Sequence, residues 1–249
     1  MKRFFVFIGI ILLAGTVHAQ TIFVQSGKIE FERKTNTHRL YLAEEGDQPW
    51  VEEFKKLIPQ FKVDYFDLFF TETKILYKPG RETEQKANPF FESPANDNTV
   101  YSDLQQQTTV SQKRVFESQF LVSDSSKKFE WKIEPETRTI AGFECRKAVT
   151  RICDSVVVVA FYTDEIIASG GPESFGGLPG MILGLAIPRL YTTWFATKLE
   201  VLNDQQKQKM VAPSKGKSAT AKEMVEKVNK GIKDWGEKYR SKAIWFVTL

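Results

Sequence analysis

Three acidic residues, Asp164, Glu165 and Glu173, crowd the approach to and the start of Gly170–Leu185. That stretch, GGPESFGGLPGMILGL, holds six glycines and two prolines in sixteen positions. Two carboxyls held about 5–10 Å apart across a cleft can serve as acid and base, or acid and nucleophile, in glycoside hydrolysis. A sharp bend is one way to bring such groups together, and solvated loop acids show the same spacing. Ser174 lies inside the stretch, but a nucleophile elbow needs G-x-S-x-G and Pro172 stands where the first glycine belongs. Gly216-Lys217-Ser218 carries the end of a phosphate-binding loop, yet Val211 occupies the upstream glycine position.

The supply of imidazole is small. His18 falls within the leader read below, so His38 is the imidazole left for a Ser–His or Cys–His system. Multi-histidine metal sites are excluded, and neither metal nor cofactor is expected. In an exported, oxidising setting Cys145 and Cys153 would pair by default. Along one strand, however, eight residues span about 26 Å, whereas a disulfide needs Cα atoms within about 7 Å. A turn at Cys153-Asp154-Ser155 leaves Cys145 far up one arm, so a Cys145–Cys153 bond and two thiols both stay open.

As a corner, the glycine-rich stretch makes better sense. Leu178-Pro179-Gly180 places proline and glycine at the centre of a type II turn, where proline presets φ and glycine takes φ > 0. Gly170-Gly171-Pro172 supplies a second bend. Phe175 and Leu178 would then plug an apolar interior, with Gly177 between them at the turn. The expected structural motif is Gly171, Pro172, Phe175, Gly177, Leu178, Pro179 and Gly180.

The elements that must hold this corner are mostly strands. Ile29 and Phe31 alternate with polar neighbours. Aromatic-rich 61–70 and 74–77 follow a short helix that starts at Pro49. Successive strands are read over 100–110, 113–122, 127–133, 140–152 and 156–163, then 181–187, 191–202 and 244–249. Between 79 and 98, three prolines and polar residues read as a loop. Thr220 and Glu223 form a capping box ahead of Met224, Val225, Val228, Ile232, Trp235 and Tyr239, an apolar stripe at helical spacing within 220–240. About ten strands with short turns imply a mainly β fold: a curved antiparallel meander or incomplete, bowl-like barrel, with one C-terminal amphipathic helix and a short N-terminal one.

Residues 1–19 read as a signal peptide, with Lys2 and Arg3, an apolar run, and Val17-His18-Ala19 as a cleavage site. Residues 20–249 would form a single β-rich domain. No later run is long and apolar enough for a transmembrane helix. The formal net charge of +4 falls to +2 without Lys2 and Arg3, so overall charge names no partner and no nucleic acid is expected. Between Gln205 and Lys242, eleven Lys/Arg face four Asp/Glu. Such a basic face suits solvent, anionic headgroups or an acidic partner.

Gly176-Gly177-Leu178-Pro179-Gly180-Met181-Ile182-Leu183 resembles the signature of the GLPGLI family, exported proteins of Bacteroidota, with Met181 in place of leucine. Ile140-Ala141-Gly142-Phe143-Glu144-Cys145-Arg146-Lys147-Ala148 is similar to that family's I-x-G-[YF]-x-C-x-K-A strand. Phe161–Ile166 followed by Gly171-Pro172 resembles another of its segments, and Gly27–Glu32 and Trp131 fall at its landmarks. The resemblance implies a periplasmic or outer-membrane-surface protein with no transferable activity. Three functions are weighed: a non-enzymatic binding or accessory module for an apolar ligand or an outer-membrane partner, a structural or interaction protein with a filled core, and a carboxylate hydrolase using Asp164, Glu165 and Glu173.

Overall fold

The computed structural model describes residues 23–83, 94–153 and 155–249. The signal-peptide reading and half of the 79–98 loop lie outside them. One twelve-stranded sheet dominates. Two antiparallel meanders build it: β1 (Gly27–Asn36), β2 (Phe61–Phe70), β3 (Lys74–Pro79), β4 (Thr99–Asp103), β5 (Thr108–Val115) and β6 (Ser118–Ser125), then β7 (Lys132–Ile140), β8 (Phe143–Ile152), β9 (Val156–Thr163), β10 (Met181–Ile187) and β11 (Thr192–Glu200). They join where β11 pairs with β1, giving the order β12-β6-β5-β4-β3-β2-β1-β11-β10-β9-β8-β7. The short β12 (Lys217–Ala219) adds to β6 in parallel, which departs from an all-antiparallel expectation. The sheet is not closed into a barrel.

The sheet cannot be flat. β6 and β7 are ten strand steps apart in that order, which is about 48 Å across a flat sheet. The chain crosses from Ser125 to Lys132 in seven residue steps, a reach of at most about 25 Å. The two meanders therefore fold over one another. Contacts agree: Ile140 at the end of β7 presses on Gly184 of β10, and Phe129 in the crossing segment stacks on Phe175 with ring centroids 5.0 Å apart. Inside lie Ile29, Phe31, Phe66, Leu68, Phe70, Trp194 and Leu185. Alternation along β1 and over the Phe66–Phe70 end of β2 buries one face of each, whereas β10 is buried almost throughout.

Helices are more numerous than expected. Beside α1 (Thr37–Leu42), α2 (Pro49–Leu57) and α3 (Asp204–Gln208), the C-terminal region forms α4 (Ala221–Gly231) and α5 (Glu237–Thr248). The expected capping box is present, with Thr220 Oγ1 accepting from Glu223 N at 3.2 Å. The single stripe over 220–240 breaks at Ile232–Gly236, and the strand expected at 244–249 is helical. Its apolar residues pack sideways: Ala243 and Val247 join Met224, Val228, Phe120 and Val122 in a second core over β5 and β6. The strand read over 113–122 is a hairpin, because Phe116 adopts φ +53° at its tip. The strands read over 127–133 and 140–152 are instead β7 and β8, joined through Ala141 and Gly142, both at positive φ, as a two-residue type I′ connection requires.

Gly180 tests how rigid the corner is. Its φ is +132°, and an added Cβ would lie 2.0 Å from the Thr163 carbonyl oxygen. Gly231, in the last turn of α4, has open space at that position. Gly180→Ala is expected to cost more than about 1–3 kcal/mol, while Gly231→Ala gains about 0.5–1 kcal/mol. Urea unfolding midpoints measure both; equal effects would remove the corner's claim to a strained backbone.

Candidate functional site

The corner is built as a wall. Ile182 N donates to Gly170 O at 2.7 Å, Ser169 Oγ donates to Leu178 O at 2.7 Å, and Trp131 Nε1 donates to Gly176 O at 2.9 Å. At Pro179 the turn is tighter than the expected type II. Gly180 N donates to Leu178 O at 2.8 Å, a three-residue closure. Phe175 and Leu178 are buried in the main core as expected; Gly171 and Pro172 are buried too, and Gly177 and Pro179 face solvent.

Behind the wall lies a cavity of about 380 Å³ lined by Ile75, Leu104, Lys128, Phe129, Glu173 and Phe175, among others. A larger one of about 530 Å³ adjoins it across Gln107, Thr109, Ser126, Lys127 and Lys128. Its floor is β5 and β6. Its roof is Ala221, Met224 and Val225 of α4 together with Val247 and Thr248 of α5. The tight turn before Ser174 puts that residue in the larger cavity, with its Oγ donating to Leu249 O at 2.6 Å.

Glu173 is the one carboxylate of the expected three that points inward. It has φ +56° and is 3% exposed. Asn98 Nδ2 donates to its Oε2 at 2.8 Å, Tyr77 OH to Oε1 at 3.5 Å, and Arg33 Nη1 stands 3.9 Å from Oε1. Arg33 Nη2 also pairs with Asp64 Oδ2 at 2.7 Å, and Nη1 donates to Asn96 O at 2.9 Å; its guanidinium lies 4.6 Å over the Phe66 ring. Trp194 Nε1 donates to Tyr77 OH at 3.2 Å. Burial pushes the Glu173 carboxyl above the usual range, opposed by Arg33 and Asn98. Burial alone would lower Arg33, but Asp64, Tyr77 and Glu173 carry it above its ordinary value. Tyr77 is raised well above a phenol's usual range, by burial first and Glu173 next.

Asp164, by contrast, is exposed and 3.8 Å from Arg146, and Glu165 is half-buried with its main-chain oxygen bonded to Val24 N. The structure does not gather the three acids into one cleft-facing set. His38 sits on α1 with Nε2 3.1 Å from Ile58 O. Gly216-Lys217-Ser218 opens β12 and makes no phosphate cradle. Cys145 and Cys153 are unpaired: Cys145 is buried within β8 and its thiol is pushed up to about 12 by burial, while Cys153 is exposed in the turn beyond that strand. Most of the length of β8 separates them, and both thiols are free, so the Cys145–Cys153 alternative is not the one seen. Among the described residues, no group of three or more His, Cys, Asp or Glu is placed to hold a metal.

Arg33, Tyr77, Asn98, Ser111 and Lys113 were not among the expected site residues. For Arg33, Ser111 and Lys113 the signal is alternation. Extending the β1 face of Ile29 and Phe31 by one more pair reaches Arg33 and Thr35, and both are buried. On β5 the inward face runs Ser111, Lys113, Val115. Lys113 is 4% exposed and donates from Nζ to Val247 O at 3.0 Å. Burial first, then Lys127, lowers it to about 7, against the opposing pull of Glu173.

Two outcomes follow from these groups. Arg33→Met strips the shared cation from Asp64 and Glu173 and is expected to cost about 3–5 kcal/mol in chemical unfolding; a loss below about 1 kcal/mol would show the network to be dispensable. For Lys113, a folded value near 7 lies below the ordinary 10.5. Between them the unfolded chain binds more protons, so stability rises with pH through that window and the full cost is present below it. The stability advantage of Lys113→Met should therefore be largest below pH 7 and shrink toward pH 10 in guanidinium unfolding. A constant difference across pH would contradict a buried lysine of this kind.

The sequence model of a family described as N-glycanase peptide, N-terminal domain, matches residues 64–223. Two crystal forms of PNGF-II share the fold. The form in space group P21 has a TM-score of 0.52 at 17% identity, over 79% of this chain and 32% of that one. The C2 form has a TM-score of 0.53 at 15% identity, over 90% and 33%. This chain thus spans about a third of the length of PNGF-II. Comparison with curated proteins finds no match. The family match corrects the resemblance to the GLPGLI family. The strings that carried it fall at the turn between β7 and β8 and at the Pro–Gly corner before β10, features that antiparallel sheets share widely. With most of its length covered, the chain belongs to the N-glycanase N-terminal domain family.

Proposed function

We propose that this chain is an exported, non-catalytic accessory module that holds a ligand or partner, acting in the periplasm or at the outer-membrane surface. The carrying observation is the pair of adjoining cavities, about 530 and 380 Å³, between the folded sheet and α4–α5. Volumes in the range of about 300–1,000 Å³ are those of small-molecule sites. A structural protein with a filled core is the poorer reading for that reason. Membership of an N-terminal-domain family, and a fold equivalent to about a third of PNGF-II, support an accessory role. In this reading the folded sheet is a bowl, and residues 1–19 direct export.

The carboxylate-hydrolase reading retains one favourable observation. Glu173 lines the smaller cavity with a raised carboxyl, as acid/base groups often have. Its fixed partners Asn98, Tyr77 and Arg33 suit a structural role as well.

Native mass spectrometry of protein purified gently from the envelope tests the accessory reading. The expected result is a chain lacking residues 1–19 that carries either a bound small molecule or a partner subunit. A bare, unprocessed chain recovered from the soluble cell interior would overturn it.

A further inference from the structure

The larger cavity has two chemically distinct walls. On β5, Ser111 and Lys113 project from the same face two residues apart, at 5% and 4% exposure. Lys113 Nζ makes one hydrogen bond among the described residues, to Val247 O. An ammonium has three N–H donors, so two remain without a protein acceptor there. The Ser111 hydroxyl also lines the cavity, and none of the hydrogen bonds among the described residues engages it. Val122 of β6 lies beside Ser111 on the same floor, and Met224 and Val225 of α4 lie across from both, so the rest of the cavity is an apolar surface. A buried ammonium facing a cavity is costly unless an anion meets it, and an apolar wall selects a partner that brings hydrocarbon.

We propose that this cavity binds a single-chain fatty acid, its carboxylate on Lys113 Nζ and Ser111 Oγ and its alkyl chain along Val122, Met224 and Val225. This rests on the accessory-module reading and names its ligand class. Lys127 and Lys128 stand at the shared rim and add positive charge along the entry. Asp124 on the same lining disfavours a head with more negative charge than a carboxylate carries. The carboxylate accepts hydrogen bonds from both β5 donors and neutralises the lysine. The tail removes apolar surface from water on both partners.

The experiment uses delipidated full chain and calorimetric titration with palmitate, hexadecanol and acetate. Palmitate is expected to bind with one site per chain. Hexadecanol should bind about ten- to hundred-fold more weakly, matching the loss of charge-assisted hydrogen bonds, and acetate should show no saturable binding. Lys113→Met should weaken palmitate by a similar factor and leave hexadecanol unchanged. Val225→Trp, which fills the tail wall, should weaken both. Circular dichroism of each variant confirms that it folds. Equal affinity for palmitate and hexadecanol, an unchanged palmitate affinity in Lys113→Met, or no palmitate binding would overturn the proposal. A chain that takes up no palmitate yet carries another molecule or a partner from the envelope loses this inference and keeps its accessory role.

Discussion

The reach of one short segment governs this molecule. Residues 126–131 must carry the chain from one meander to the far edge of the other, and they are too few to cross a flat sheet. The sheet must fold over. Every feature of the candidate site follows from that. Phe129 meets Phe175 because the crossing passes over the glycine-rich corner. Trp131 reaches Gly176 O for the same reason. Lys127 and Lys128 become the shared rim of the two cavities because they begin the crossing. The hydrophobic core supplies the free energy of the fold, and the crossing selects which strands face each other.

Folding the sheet over also brings polar side chains inside. Arg33 and Glu173 come from opposite meanders, β1 in one and the corner after β9 in the other. Isolated, each would be prohibitively costly in an apolar interior. Together with Asp64, Asn96, Asn98 and Tyr77 they form a bonded set in which only Asn98 Oδ1 is buried without a partner among the described residues. Such a set contributes little net stability compared with a well-packed apolar replacement. It does fix register, because a slip of one residue on β1 would turn Arg33 outward and take their shared cation from Asp64 and Glu173. Glu173 at positive φ fits the same logic: the backbone accepts strain at a residue whose side chain is then held by three partners.

Much of this was legible in the sequence where one signal dominated. Alternation found β1, the tight turns found the corner, and the capping box located the start of α4 to the residue, though not its end. The failures have physical causes. A glycine-free turn such as Phe116-Glu117 leaves no punctuation, so 113–122 reads as one strand where the end of β5 turns into the start of β6. The apolar run at the C-terminus fits either period over so few residues, and packing against α4 decided for helix. Arg33 and Lys113 were missed because a charged residue on an inward face reads as the end of a strand. Only the partner strands, distant in sequence, show that it continues. The family strings misled for the opposite reason. They record turn and strand geometry, which unrelated antiparallel proteins must also satisfy.

The two cavities differ in how their charge is balanced, and that difference bears on what the fold can do. Around the smaller one, the negative charge of Glu173 is met by fixed donors from the protein itself. The larger one is lined by Lys113, whose partner is a neutral carbonyl, and the ammonium bears its burial largely uncompensated. A sheet that needed Lys113 only for packing would do better with methionine or leucine of similar length, since the stem is apolar already. A buried cation that weakens the fold is the pattern of a group kept for what it meets. Because the ammonium sits on the floor strand and the apolar wall on the roof helix, an amphiphile in this cavity would join β5 to α4. Ligand occupancy and the seating of the C-terminal helices would then be one equilibrium, and anything that displaced α4 would release what lies beneath it.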